Sequence, residues 1–223
     1  MKHLVLTPDR NTQGSDYNGA FKPEAERYAR FYTGQGDTVV TRRVDVSEHS
    51  PKKRLQVLSY LAAEGPIDRL ALFCHGWSEG VQFGLKCGDA EQKALLAEAV
   101  KGIVAASTAN LKVALYCCLT GISEKSTTGD GSFADILRDY LCAAGRPDVS
   151  VFGHTTAGHT TRNSDIRMFF GYGRAAGGDG GADLVQKGTP EAHKLYDRLH
   201  DGNDNLRWRL PYMDLTAIPA ELK

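Results

Sequence analysis

No stretch of the chain reaches the ~18 consecutive apolar residues that a membrane-spanning helix needs. Neither sign of charge predominates, because 27 lysines and arginines face 27 aspartates and glutamates. The first absence excludes a helical span, and the second leaves no basic excess for general nucleic-acid binding. C-x-x-C pairs are missing, and the five cysteines (Cys74, Cys87, Cys117, Cys118, Cys142) are an odd set. Neither a disulfide framework nor a zinc ribbon follows from them, so reduced thiols are expected. There is no G-x-x-x-x-G-K-[ST] sequence to anchor nucleotide hydrolysis, and no internal repeat. The segment Met1 to Pro8 reads as a short strand rather than a secretory leader, so a soluble, cytoplasmic protein is expected, with no membrane or nucleic-acid partner.

What is present is enough for one sizeable core. The chain has 223 residues, 41% of them apolar and 24% charged, which suits a single domain over 1–223. Short apolar runs at Leu4 to Leu6, Thr38 to Val46, Leu70 to Cys74, Leu111 to Cys117 and Val149 to Gly153 read as strands. Helical segments separate the later ones. Pro51 opens one, with Leu55, Leu58 and Leu61 on one face. Asp89 and Gln92 form a capping box ahead of Leu95, Leu96, Ala99, Val100, Ile103 and Val104. Ser132 caps a third helix, buried along Phe133, Ile136, Leu137, Tyr140 and Leu141, which Gly145 ends. Alternating strands and helices with mostly uninterrupted apolar strands predict an α/β fold of three α-β-α layers around a mostly parallel sheet of about six strands. Residues 171–181 are too glycine-rich for an element interior and read as a loop. Beyond them, Thr189-Pro190 can open a short helix, and Leu206 to Leu210 alternates like an edge strand.

In such sheets ligands bind beyond the carboxyl ends of the strands. Two strands end there in reactive side chains. Arg69-Leu70-Ala71-Leu72-Phe73-Cys74-His75-Gly76 ends in His-Gly, and Leu111-Lys112-Val113-Ala114-Leu115-Tyr116-Cys117-Cys118 ends in Cys-Cys. Adjacent strands lie ~4.8 Å apart, so a cysteine and a histidine can face each other across a small cleft. A thiolate can attack a carbonyl carbon while the imidazole moves the protons. The N–H of Gly76 and that of the cysteine can hold the oxyanion. Cys117 and Cys118 alternate across the strand, so one of them faces the cleft and the other a helix layer.

These two blocks resemble those of the caspase-like cysteine peptidases, the group of caspases, metacaspases and bacterial CHAT peptidases. Phe73-Cys74-His75-Gly76 is similar to the CHAT His-Gly motif, and Leu115-Tyr116-Cys117-Cys118-Leu119-Thr120-Gly121 to Leu-Ser-Ala-Cys-x-Thr-Gly. The resemblance puts the nucleophile at Cys118 and implies a caspase-like fold over roughly residues 1–170. A third stretch, Thr155 to Ser164, is similar to the caspase segment Ser-Thr-Ala-Pro-Gly-Tyr-Tyr-Ser-Trp-Arg-Asn-Ser with one residue deleted. That likeness implies that Arg162 contacts the bound peptide and that Thr160 and Thr161 flank its backbone. Tyr116 stands in the pocket wall where caspases have Gln and many metacaspases Asp. The loop Thr7-Pro8-Asp9-Arg10-Asn11 offers Asp9 as an acid beside a base, so cleavage specificity does not carry over. The expected function is that of a cysteine endopeptidase acting on protein or peptide through His75, Cys118 and Gly76, with no cofactor and no metal.

Four other readings arise. A peptidase-like domain can keep the pocket and only bind a peptide or small signal. Gly76-Trp77-Ser78-Glu79-Gly80 satisfies the G-x-S-x-G elbow of α/β serine hydrolases, with Ser78 as nucleophile and His154 or His159 as base. His154 and His159 by themselves are a weak metal pair, since no Cys or carboxylate at ligand spacing joins them. Gly171 to Ala176 imitates a dinucleotide fingerprint, but the glycines that follow forbid the helix it needs.

Overall fold

The apolar runs pair side by side because each carries branched or aromatic side chains on both faces and can be buried only between two layers. The computed structural model describes residues 1–126, 129–158, 163, 166–171, 208, 209 and 212. Strand β1 (Lys2–Pro8) is followed by a π-helical turn (Tyr17–Phe21) that runs into α1 (Lys22–Gly34), and then by β2 (Thr38–Val44) and α2 (Ser50–Glu64). Strand β3 (Ile67–Phe73) leads into three short strands, β4 (Gly76–Trp77), β5 (Gly80–Val81) and β6 (Leu85–Lys86). After them come α3 (Ala90–Ala105), β7 (Ser107–Tyr116), α4 (Phe133–Ala143), β8 (Ser150–His154) and β9 (Ile166–Phe170). The main sheet has six strands in the order β2-β1-β3-β7-β8-β9, all parallel except β9, which runs antiparallel to β8. The short strands β4 to β6 form their own antiparallel sheet.

The helices cover both faces, so the fold is the three-layer α/β arrangement expected. Leu4, Leu6, Leu70, Leu72, Val113 and Leu115 point toward α2, α3 and α4. The alternate residues Val5, Ala71, Phe73, Ala114 and Tyr116 point toward α1, which brings Tyr28 and Tyr32, and toward Trp208. Asp89 caps α3 by accepting the Gln92 N–H at 2.7 Å, while Gln92 reaches back to the N–H of Gly88. Ser132 caps α4 through the Asp135 N–H, and Gly145, just past the end of α4, adopts φ +102, which a side chain would oppose.

Two differences from the sequence reading, at α1 and α2, have clear causes. Helix α1 was not anticipated, because its buried stripe (Ala25, Tyr28, Tyr32) is built from alanine and tyrosine rather than leucine. In α2 the buried face is Val57 and Leu61, with Leu58 half-buried, whereas Leu55 is exposed, since the helix is turned toward β2 and α3. The sixth strand is β9. Of the edge strand expected at 206–210, Trp208 and Arg209 are described, and both are helical. The glycine-rich loop near 171–181, apart from Gly171, and the short helix at Thr189-Pro190 lie outside the described residues.

Strand order fixes where a cleft must open. From β1 the chain crosses outward to β2, then returns to β3 on the other side, so the sheet switches direction between β1 and β3. Loops leaving those two strands diverge to opposite faces and leave a crevice at their carboxyl ends.

Candidate active site

A cavity of about 320 Å³ fills that crevice. The segment after β1 contributes Gln13, Ser15, Asp16, Ala20 and Phe21, β3 contributes His75, β7 contributes Tyr116, Cys117 and Cys118, and β8 contributes His154 and Gly158. His75 and Cys118 therefore line one cavity although 42 positions separate them, 118 minus 75 less one.

Strand register explains the meeting. Phe73 is paired with Tyr116, so the Cys74-His75-Gly76 end of β3 lies beside Cys117-Cys118. The approach is close enough to need glycine. A Cβ on Gly76 would lie 2.7 Å from Cys117 Cβ and 2.8 Å from both Cys118 O and Thr120 Cγ2. Gly76 also turns its N–H away from the hairpin. Trp77 and Gly80 pair across the turn, and the Gln82 N–H donates to His75 O at 2.9 Å. The intervening pair, Gly76 with Val81, is then the one that exchanges no bonds.

The two adjacent cysteines part company at the strand end. Cys117 is 1% exposed, belongs to the aliphatic core, and sits with its sulfur 3.6 Å from that of Cys74. Its thiol donates to Leu72 O at 3.4 Å, and burial pushes it well above the ordinary thiol range. Cys118 is half-buried and its thiol donates to Gly158 O at 3.6 Å. Burial pushes this thiol up as well. A tight corner holds it in place. Leu119 adopts φ +60, a conformation that costs an L-residue about 1 kcal/mol even when it is not branched at Cβ. Its N–H donates to Thr156 O at 3.3 Å, Thr120 Oγ1 to Cys117 O at 3.1 Å, and the Gly121 N–H to His154 O at 2.8 Å. The Cys-Leu-Thr-Gly sequence is thus a turn in which Leu119 and Gly121 tie the end of β7 to β8 and the segment after it.

His75 is held through its ring. Nε2 lies 2.8 Å from Asp16 Oδ2, and Phe21 packs edge-on to the ring with centroids 5.0 Å apart. Burial by itself would raise the Asp16 carboxyl, but hydrogen bonds from His75, Thr12 and Tyr17 hold it down at about 2.

Among the other expected site residues, Tyr116 lies in the cavity wall, stacked on Phe73 at 4.5 Å and meeting Trp208 edge-on at 5.4 Å. Asp9 does not line this cavity. Its carboxylate accepts the Val46 N–H at 3.1 Å and pairs with Arg10, which keeps it at the β1–β2 corner and off the cavity lining. The acid in the cavity is Asp16, which sequence reasoning missed. Arg162, Thr160 and Thr161, and with them His159, lie outside the described residues. Ser78 sits in the turn between β4 and β5 with its carbonyl accepting the Phe133 N–H at 2.8 Å, so the strand-to-helix elbow that G-x-S-x-G requires is not formed there. Among the described residues no group of three or more His, Cys, Asp or Glu is arranged to hold a metal ion, and no helix is long and apolar enough to cross a membrane. Compared with protein-family models and with curated proteins, the chain matches neither.

Proposed function

We propose that the chain is a caspase-like cysteine endopeptidase that works with reduced thiols in the cytoplasm, with Cys118 as nucleophile and His75 as general acid and base. The observation that carries this reading is that these two side chains, delivered by the ends of adjacent strands, line a single cavity. The resting thiol is protonated, so the base must act during attack rather than before it. The Cys118 S–H proton passes to His75 as the sulfur bonds to the scissile carbonyl carbon, and the carbonyl π electrons move onto oxygen. In this reading the N–H groups of Gly76 and Cys118 stabilise that oxyanion, a contribution of about 3 kcal/mol per donor. As the oxyanion collapses, the C–N bond breaks and His75 returns the proton to the leaving amine. Water then attacks the thioester with His75 again as base, releasing the acid and restoring the thiol.

The test is labelling of the purified chain by a library of peptidyl acyloxymethyl ketones, read by intact mass. Wild type is expected to be labelled at Cys118 and to cut members of a diverse peptide mixture, and Cys118→Ala to do neither. Equal labelling of the two proteins with no peptide cut overturns the reading. One observation favours a second one. Burial raises the Cys118 thiol, and its hydrogen goes to a backbone carbonyl, as suits a domain that only binds peptides. Peptide binding that Cys118→Ala leaves intact, without turnover by wild type, would decide for that module.

A further inference from the structure

We infer that Asp16 is the positioning residue of this site, holding His75 in the Nε2–H tautomer so that Nδ1 presents its lone pair to Cys118. The inference rests on the cysteine-peptidase reading above and adds a third member to the pair. Asp16 Oδ2 is 2.8 Å from His75 Nε2 and 2.8 Å from Thr12 Oγ1, while Oδ1 accepts the N–H of Tyr17 at 2.9 Å and that of Thr12 at 3.0 Å. Both carboxylate oxygens are therefore engaged, and the side chain is 8% exposed. An ionised carboxylate only accepts hydrogen bonds, so the contact requires the proton to sit on Nε2. Nδ1 is left as the base.

The bonds close a circuit around the histidine. Gln82 donates through its side chain to Thr12 Oγ1 at 3.0 Å and through its backbone N–H to His75 O at 2.9 Å. The circuit runs from His75 through Asp16, Thr12 and Gln82 back to His75, so ring and backbone are fixed by one network. During the reaction the Cys118 proton arrives at Nδ1, and the imidazolium that forms faces a carboxylate on its other nitrogen. The same saturation denies Asp16 another role. With its acceptors filled from within, it does not read a basic side chain of the substrate.

The experiment uses the full chain with ¹⁵N-labelled histidine, observed at alkaline pH where imidazole is neutral, together with acyloxymethyl ketone labelling rates. Wild type is expected to show the Nε2–H tautomer at His75. Asp16→Asn, nearly isosteric, is expected to lose that preference and to slow Cys118 labelling about 100-fold, with an unchanged ranking of peptides in the library. An Nδ1–H tautomer in wild type overturns the inference whether or not the variant folds. So does an Asp16→Asn protein that keeps both tautomer and rate, and so does a switch in its cleavage preference away from basic residues, which would make Asp16 a specificity residue. Because the tautomer is read without any turnover, its failure is distinguishable from failure of the peptidase reading, which Cys118→Ala alone decides.

Discussion

The two faces of the central sheet are built from different chemistry. Toward α2, α3 and α4 the buried residues are almost all Leu, Val, Ile, Ala and Cys. Toward α1 the large buried residues are tyrosines, phenylalanines and Trp208, packed among small and aliphatic ones such as Val5, Ala71 and Ala114 and polar side chains such as His3. Aliphatic packing is dense, featureless in charge, and tolerant of substitutions that conserve volume. Aromatic packing leaves hydroxyls and imidazoles that need partners, and it is on this face that the cavity with His75, Asp16 and His154 opens. The consecutive residues Cys117 and Cys118 make the contrast in one place. Both border the cavity, but the sulfur of the first packs into the aliphatic core as a small hydrophobe, and that of the second reaches Gly158 in the cavity lining.

Exchanging the roles of those two cysteines is the sharpest way to break the comparison. Cys118→Ala is expected to abolish labelling by a peptidyl electrophile, whereas Cys117→Ala should retain it and lower stability by about 1 kcal/mol for the lost sulfur. Labelling lost in Cys117→Ala and kept in Cys118→Ala, read by mass spectrometry, would assign the faces the other way round. The next largest effect belongs to Gly76→Ala. The new Cβ meets Cys117 Cβ and the backbone of Cys118, neither of which is a flexible end, so β3 and β7 must part at their tips. A displacement of that size is expected to slow labelling about 100-fold while the chain stays folded by circular dichroism. Wild-type rates in this variant would show that the close approach is not needed for chemistry.

Neighbours on one strand then separate stability from activity. Leu72 is fully buried on the aliphatic face, and Leu72→Ala is expected to cost about 2–5 kcal/mol in urea unfolding without changing the labelling rate of the folded fraction. Phe73, stacked beneath Tyr116, is the reverse case. Phe73→Leu is expected to cost less stability and to slow labelling, because the cavity wall loses the ring it rests on. Slower labelling in Leu72→Ala than in Phe73→Leu would dissolve the distinction between the faces.

Much of the aliphatic face was legible in the sequence and much of the aromatic face was not. Leucine and valine runs announce strands, and Asp89, Ser132 and Gly145 mark helix ends through bonds that are local in sequence. The pairing of the His-Gly and Cys-Cys strand ends followed from strand alternation alone. Helix α1 and the acid at its entrance were hidden for a physical reason. Tyr17, Ala20, Phe21, Ala25, Tyr28 and Tyr32 recur at helical spacing, and Asp16 stands just before them where a cap belongs, so the signal was there. Glycines at 14 and 19 and the mixture of alanine with tyrosine disguised it as loop. With that helix unread, Asp9 was the acid noted in the loop after β1 and Asp16 was not considered. The circuit of His75, Asp16, Thr12 and Gln82 draws on three separate segments, and no local pattern encodes it.

Two steps of the acid response arise on the aromatic face, and they can be told apart. Burial first, then the charge of Arg69, lowers His3 to about 4 against the pull of Asp37. A depressed histidine binds its proton more readily in the unfolded chain, so its contribution is present above the unfolded value of about 6.5 and is lost as pH falls through about 4. The loss is about 3 kcal/mol, and His3→Gln is expected to flatten the stability profile over that interval.

Asp16 supplies the smaller and more acidic step. Its carboxyl, held at about 2 by the bonds from His75, Thr12 and Tyr17 that outweigh its burial, stabilises the fold above the ordinary aspartate value of 3.8. That contribution, about 2 kcal/mol, falls away as pH drops from 3.8 through about 2, because protonation removes the acceptor that the circuit needs. Urea midpoints measured across this interval should decline more steeply in wild type than in Asp16→Asn. A parallel decline in both proteins would mean that the carboxylate is not held by the network, and the order of the cavity would then have to come from the packing of Phe21 and Tyr116 alone.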